Sequence, residues 1–162
     1  DKEAEHLRAI ISLNNGNKAW NTLDYLKAYS TDSEDYNIVY KTYLSNQNNI
    51  SVGNVVNCFF GSKSKLFKKG NCIIIDYDFS IYLINKISKL VNNYGKQNIQ
   101  AYCVRFAFEK DAYKDYDALD FLFKEYGKLA KADSPAATSI ARFKPLMESL
   151  LTEFKTLRNA NK

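Results

Sequence analysis

The sequence has little of what enzymatic chemistry usually requires. Its 162 residues include a single histidine, His6. Hydrolytic triads and most zinc sites use histidine, and the position of His6 on a predicted N-terminal helix favours a solvated side chain. The three cysteines lack the short C-x-x-C spacing that is typical of structural zinc sites. We therefore expect no metal site.

Glycine and proline are also scarce, at six and two residues, which excludes collagen-like and linker-like chains. Residues 61–65 do not match the glycine-rich phosphate-loop pattern, so no cofactor is expected. The most apolar stretch, residues 72–90, is interrupted by Asp76, Asp78 and two lysines. It falls short of the roughly 20 apolar residues of a membrane span, and no transmembrane helix is expected.

Arginine is a third scarce residue, with 4 of the 23 basic side chains, and the formal net charge is +5. Because arginine makes the bidentate contacts with phosphates and bases, its scarcity counts against nucleic-acid recognition. The positive excess is spread along the chain, so no domain-sized basic face is expected. The abundance of Asn, Lys, Tyr and Ile, which have A/T-rich codons, indicates an A/T-rich genome.

Apolar residues recur at helical spacing through most of the chain. Residues 36–44 carry them at i, i+3, i+4, i+7 and i+8, and residues 52–60 repeat the pattern. The nearest case of period-2 alternation, residues 73–77, continues into a helical pattern, so we predict helix there too. The sequence therefore predicts an all-α chain with about seven to eight helices, at 2–14, 18–30, 33–47, 51–61, 71–94, 97–113, 116–131 and 135–159.

Short polar connections favour one helical domain over residues 1–162, as a bundle or as stacked helical hairpins. The last helix has the clearest start, with Ser134 as a cap and Pro135 at the first helical position. Pro145 lies inside the same helix and removes one backbone hydrogen bond. We expect it to kink the helix or split it near Lys144.

Asp76 and Asp78 are the nearest approach to a catalytic arrangement. They lie in an apolar segment, where an unpaired carboxylate is expensive to bury. A carboxylate pair would serve glycoside hydrolysis, which makes a hydrolytic enzyme one alternative function. An exposed helix flank explains the same residues more simply. Further along, Asp115 or Asp117 is expected to cap the helix that follows.

The densest charge in the sequence is a lysine loop that carries Lys63, Lys65, Lys68 and Lys69. Such a segment would contact phosphates, an acidic protein or anionic lipid. A solvated connector has the same composition. A nucleic-acid or membrane-surface binder that uses this loop is therefore a second alternative function.

Aromatic residues are abundant, with twelve tyrosines and ten phenylalanines. Many fall on the helical stripes, as core residues would. A tyrosine surplus also suits a protein-binding surface, because the ring is apolar and the hydroxyl is polar. The candidates for such a surface are Tyr25, Tyr29, Tyr113 and Tyr116.

We predict a disulfide between Cys58 and Cys72. Cys58 lies off the centre of its apolar stripe, and the lysine loop between the two cysteines has few groups to anchor it. Closing a loop of about 15 residues would add roughly 3 kcal/mol in the loop-entropy description. Cys103 lies on an apolar stripe and is expected to be a buried free thiol. The alternative is three reduced thiols in a cytoplasmic protein.

The first residue is Asp1 rather than Met, which suits a trimmed chain or a mature protein whose signal peptide has been removed. Together with the predicted disulfide, the second interpretation favours a secreted or periplasmic protein. No catalytic constellation is apparent. The sequence therefore predicts a non-enzymatic binding protein whose partner is a macromolecule, most simply another protein. Its role would be that of an inhibitor, an immunity protein or a secretion-linked factor.

Overall fold

The fold is seen in a computed structural model of the chain. The structure describes residues 19–94, 97–132 and 140–162, together with Lys2 and Glu5. These residues form eight helices and no strand, which confirms the predicted all-α fold. The helices are α1 (Thr22–Ser30), α2 (Glu34–Asn46), α3 (Val52–Phe60), α4 (Ser64–Lys68), α5 (Tyr77–Tyr94), α6 (Gln97–Ala107), α7 (Tyr116–Ala132) and α8 (Ile140–Ala160).

Several predicted helix boundaries are wrong. The helix predicted over 71–94 begins only at Tyr77, and the helix predicted over 97–113 ends at Ala107. The predicted lysine loop contains the short helix α4. The helix predicted at 2–14 and the cap predicted at Ser134 lie outside the described residues.

The chain divides into two compact units, Asp1–Ser80 and Ile81–Lys162. The first unit contains α1 to α4 and the first residues of α5. The second contains the rest of α5 together with α6, α7 and α8. The prediction of a single domain over residues 1–162 stays a prediction.

In the first unit, α1 packs against α2 and α3. Helix α1 begins with a capping box, in which the Asn21 side chain accepts from the Asp24 N–H at 2.9 Å and the Asp24 carboxylate accepts from the Asn21 N–H at 3.0 Å. Ser33 and Ser51 cap α2 and α3 through their hydroxyl oxygens. The apolar core of this unit is formed by Tyr25, Leu26, Tyr29, Tyr36, Val39, Ile50, Val55, Val56, Phe59, Phe60, Phe67 and Phe79.

In the second unit, α8 packs against α6 and α7. Asp115 caps α7, because its Oδ1 atom accepts from the Ala118 N–H at 3.2 Å, and this decides between the two predicted caps. The same carboxylate pairs with Arg158 of α8 at 3.0 Å. The core of this unit includes Leu83, Ile84, Ile87, Cys103, Phe106, Leu119, Leu122, Phe123, Tyr126, Phe143, Met147 and Leu150.

Helix α8 passes through Pro145 in one piece, so the predicted split near Lys144 is absent. Phe143 and Met147 are buried on either side of the proline, and their packing offsets the loss of one backbone hydrogen bond. The predicted kink stays a prediction. Among the helices of the described residues, including α8, none has the length and apolar character needed to cross a membrane.

Candidate functional site: a basic and apolar surface of the first unit

The four lysines of the predicted loop lie on and around α4. Lys63 immediately precedes the helix, Lys65 and Lys68 lie within it, and Lys69 follows it. All four side chains are exposed. We call these four residues the basic surface.

Two tyrosine hydroxyls hold the basic surface to the core. The Tyr29 hydroxyl donates to the Lys68 carbonyl at 2.8 Å. The Tyr36 hydroxyl donates to the Phe67 carbonyl at 2.9 Å and accepts from the Cys72 N–H at 3.2 Å. The expectation that this segment has few anchoring groups was therefore wrong, because its anchors are distant in sequence and come from α1 and α2.

Phe67 provides an apolar anchor between the exposed lysines. Its ring is buried and stacks on Tyr36 with 5.5 Å between the centroids and 16° between the planes. Tyr25 and Phe60 complete the aromatic cluster, each with its ring centroid 6.2 Å from that of Phe67. Burying one phenylalanine contributes roughly 1.5–3 kcal/mol, which holds the five-residue helix in place.

The chain returns beside α4 along a non-helical segment, residues 71–76. The Asn71 N–H donates to the Leu66 carbonyl at 3.0 Å, and the Cys72 thiol donates to the Lys63 carbonyl at 3.8 Å. Two further bonds fix the segment, from the Ile74 N–H to Asp35 Oδ2 and from the Ile75 N–H to a carbonyl of α3, both at 2.9 Å. Hydrogen bonds therefore attach the return segment to α2, to α3 and to the residues of α4 and its start.

Exposed apolar side chains accompany the lysines. Among the described residues, seven large apolar side chains are exposed, and four of them lie between positions 66 and 77. We call these four the apolar patch: Leu66 (44% exposed), Ile73 (76%), Ile75 (44%) and Tyr77 (51%). A cluster of this kind is typical of an interaction surface rather than of scattered surface residues.

Two of the four predicted surface tyrosines are buried. Tyr25 and Tyr29 are buried in the core of the first unit, so their predicted surface role is wrong. Tyr113 and Tyr116 belong to the second unit. Tyr113 stacks on Phe108, and Tyr116 makes an edge contact with Tyr82 at 4.8 Å between ring centroids.

All three cysteines are buried free thiols, so the predicted bond between Cys58 and Cys72 is not formed. The prediction assumed that core packing does not explain a cysteine at position 58. Cys58 is buried in the core, so that assumption was wrong. Burial raises the pKa of both thiols, which keeps them protonated near neutral pH. Cys103 is buried and forms no disulfide, as predicted. The predicted disulfide was the main support for an exported protein, and that support is lost because the disulfide is not formed.

Asp76 has a structural role. Its Oδ1 atom accepts from the Phe79 N–H at 3.0 Å, which caps α5 and explains why that helix begins at Tyr77. Asp78 is exposed on the first turn. The Asp76 carboxylate, which would be costly to bury unpaired, therefore accepts a hydrogen bond at the start of α5. A hydrolytic role for the pair has no further support in this geometry.

The second unit contains one polar cluster that the sequence did not suggest. The Tyr82 hydroxyl donates to Asp120 Oδ1 at 2.6 Å, and Lys86 Nζ lies 3.0 Å from the same oxygen. Burial and the Asp120 carboxylate raise the pKa of Tyr82, so its hydroxyl keeps its proton and is a weak acid. Within the described part of the chain, no group of three or more His, Cys, Asp or Glu side chains is placed to hold a metal ion. His6 lies outside that part.

Comparisons with family models, curated proteins and solved structures give no match to this chain. The basic surface and the apolar patch are therefore the basis of the functional proposal. Sequence reasoning found the lysines but missed Ile73 and Ile75 as exposed residues. The alternation of residues 73–77 was the available sign, since successive side chains of an extended segment face opposite directions and alternate ones share a face.

Proposed function

We propose that the chain is a non-enzymatic binding protein that docks on an acidic protein through the basic surface and the apolar patch. The observation behind the proposal is that exposed lysines and exposed apolar side chains lie together on a segment fixed by buried hydrogen bonds. A preformed surface loses little entropy on binding. Inhibitors, immunity proteins and secretion-linked factors are binding proteins of this kind.

The distribution of the apolar side chains favours a protein over a membrane. Peripheral helices that bind membranes bury one apolar helix face in the headgroup region. Helix α4 has only five residues and exposes Leu66 alone among its large apolar side chains. The most exposed member of the patch, Ile73, lies on the non-helical return segment.

The residue types favour a protein over a nucleic acid. Single-stranded nucleic acids are bound by aromatic platforms on which the bases stack, and specific base contacts use arginine. The four charged residues here are all lysines, and three members of the apolar patch are aliphatic. A protein surface that offers carboxylates beside apolar side chains complements both features.

Four defined probes separate these partner classes. They are an amphipathic helical peptide of Glu and Leu, a Glu–Ser peptide of equal length and charge, duplex DNA, and vesicles of phosphatidylserine and phosphatidylcholine. Binding is measured by fluorescence anisotropy, or by sedimentation for the vesicles. We expect the Glu–Leu peptide to bind most tightly. Tighter binding of the DNA or the vesicles would overturn the assignment to a protein.

A pair of substitutions tests the apolar contribution. Ile73→Ser removes the most exposed apolar side chain of the patch, and Leu44→Ser removes one on α2 of the same unit that is 43% exposed. The Ile73 variant should lose most of the preference for the Glu–Leu peptide over the Glu–Ser peptide. The Leu44 variant should keep it. Equal loss in the two variants would contradict a role for the patch.

A further inference from the structure

A cavity of about 300 Å³ lies in the first unit beside the basic surface. It is formed where the first residue of α1, the face of α3 and the start of α4 meet. Its polar side chains are those of Thr22, Asn57, Ser62, Lys63 and Ser64. Val56 and Phe67 contribute apolar wall.

The polar side chains of this cavity can donate hydrogen bonds and have no partner among the described residues. The side chains of Thr22, Asn57, Ser62 and Ser64 make no hydrogen bond in the described structure, and Lys63 makes no ion pair there. Among the described residues, no carboxylate lines the cavity. Three hydroxyls, one amide and one ammonium group therefore belong to a lining with no counter-charge from the described part of the chain, which suits an anionic group.

We propose that this cavity receives the carboxylate of a glutamate or aspartate side chain from the acidic partner; this inference rests on the proposed function. One lysine lines the cavity, so a group with a single negative charge leaves the pair neutral. A phosphate monoester carries up to two negative charges at neutral pH and would stay partly uncompensated there. The methylene groups of a glutamate would contact Val56 and Phe67.

Lys63 connects the cavity to the larger surface. It lines the cavity and is also the first residue of the basic surface. An acidic side chain that enters the cavity would therefore belong to a partner already attracted by Lys65, Lys68 and Lys69. The cavity would fix the register of the complex, whereas the exposed lysines would mainly increase the rate of association.

The test uses the complete chain and three small probes at constant ionic strength: N-acetyl-glutamate methylamide, its glutamine analogue and inorganic phosphate. Binding is followed by ¹⁵N–¹H NMR at the backbone amides of Asn57, Ser62 and Ser64. We expect saturable shifts with the glutamate probe, weaker or no shifts with the glutamine probe, and weaker binding of phosphate. Equal response to glutamine, tighter binding of phosphate or no saturation would each overturn the inference.

Three variants separate the cavity from the basic surface. Ser62→Ala removes a hydrogen-bond donor from the cavity lining. Gly53→Leu adds an uncharged side chain to the same lining and narrows the cavity. A side chain fits at Gly53 because a Cβ there meets no atom within 4 Å. Both substitutions should weaken binding of the glutamate probe several-fold. Lys69 lies outside the cavity lining. Lys69→Gln should therefore leave binding of the glutamate probe unchanged but weaken binding of the Glu–Leu peptide. If Lys69→Gln alone abolished binding of the glutamate probe, the cavity would not be the carboxylate site. If Lys69→Gln left binding of the Glu–Leu peptide unchanged, the proposed function would be contradicted instead.

Discussion

Tyr36 links the core of the first unit to its surface through one hydroxyl group. The hydroxyl satisfies the Phe67 carbonyl on one side of the basic surface and the Cys72 N–H on the other. Burial is the main cause that raises the pKa of Tyr36 above its ordinary value, so the hydroxyl keeps the proton that it donates. If the hydroxyl is removed, the Phe67 carbonyl still accepts from the Gly70 N–H at 3.1 Å, but the Cys72 N–H loses the bond that satisfies it in the core.

Tyr36→Phe should therefore lower the free energy of unfolding by about 1–3 kcal/mol, the cost of leaving a buried polar group unsatisfied. Tyr43→Phe is the matched control, because Tyr43 is only partly buried and its hydroxyl makes no hydrogen bond in the described structure. The control should change stability by less than about 0.5 kcal/mol. Urea unfolding of both variants is the measurement. Equal effects would show that the Tyr36 hydroxyl does not hold the segment.

Asp120 gives a prediction for the second unit that depends on pH. Burial acts to raise the pKa of its carboxyl group, but the hydrogen bonds from Tyr82 and Lys86 and the charge of Lys86 outweigh burial and lower it below 3.8. A carboxyl group whose pKa is lower in the folded state contributes stability above its unfolded pKa. That contribution is lost as the pH falls through the folded pKa.

Asp120→Asn should therefore be less stable than the parent chain at pH 7, by less than about 1 kcal/mol because the pair is partly exposed. The difference should shrink as the pH falls below about 4, where the carboxyl group becomes protonated. Urea unfolding over a series of pH values measures it. A difference that is constant across the acid range would contradict the role of the charge.

At the scale of helices and connections, Gly70 is a position where both backbone conformation and space restrict the residue. It follows α4 with a φ of +73°, a conformation that side chains with a Cβ rarely adopt. A Cβ at this position would lie 2.6 Å from the Tyr29 ring. The close approach allows Tyr29 to pack under the turn and reach the Lys68 carbonyl.

Gly70→Ala should consequently destabilise the first unit by more than about 1 kcal/mol, from backbone strain together with displacement of Tyr29. Gly53→Ala is the control with the opposite expected sign. Gly53 lies within α3 in open space, and alanine favours a helix over glycine by up to about 1 kcal/mol. Thermal unfolding followed by circular dichroism compares the two. Similar behaviour of both variants would contradict the docking of Tyr29 under Gly70.

The same scale shows what the sequence could predict. Long helices such as α2 and α7 were predictable because an apolar stripe repeats over two or more turns. Helix α4 was not, since five residues are too few for a period and Phe67 is fixed by partners far away in sequence. The segment before α5 was predicted as helix because its alternation continues into a helical pattern. Its structure depends on Asp35 and on the capping carboxylate of Asp76.

The candidate site divides in the same way. Lysine density is a local property, so the basic surface was visible in the sequence. Exposure is set by tertiary contacts, which a local pattern does not describe. Tyr25 and Tyr29 are therefore buried in the core instead of lying on the surface, and Ile73 is exposed. The predicted disulfide failed for the same reason, because the burial of Cys58 follows from packing that its own helix stripe does not describe.

For the molecule as a whole, the formal charge of +5 is modest for 162 residues. If net charge alone attracted an acidic partner, any exposed lysine would contribute to binding about equally. If the basic surface is the docking site, position must matter more than number. Among the further exposed lysines of the first unit are Lys27 on α1 and Lys41 on α2, which do not belong to the basic surface.

The most direct test compares two double variants of equal charge. Lys65→Gln/Lys69→Gln removes two charges from the basic surface, and Lys27→Gln/Lys41→Gln removes two from elsewhere in the same unit. Isothermal titration calorimetry with the Glu–Leu peptide gives the dissociation constant of each. We expect about tenfold weaker binding for the first variant and less than about twofold for the second. Equal weakening in both would show that the chain attracts acidic partners only through its overall charge, and would contradict a defined docking surface.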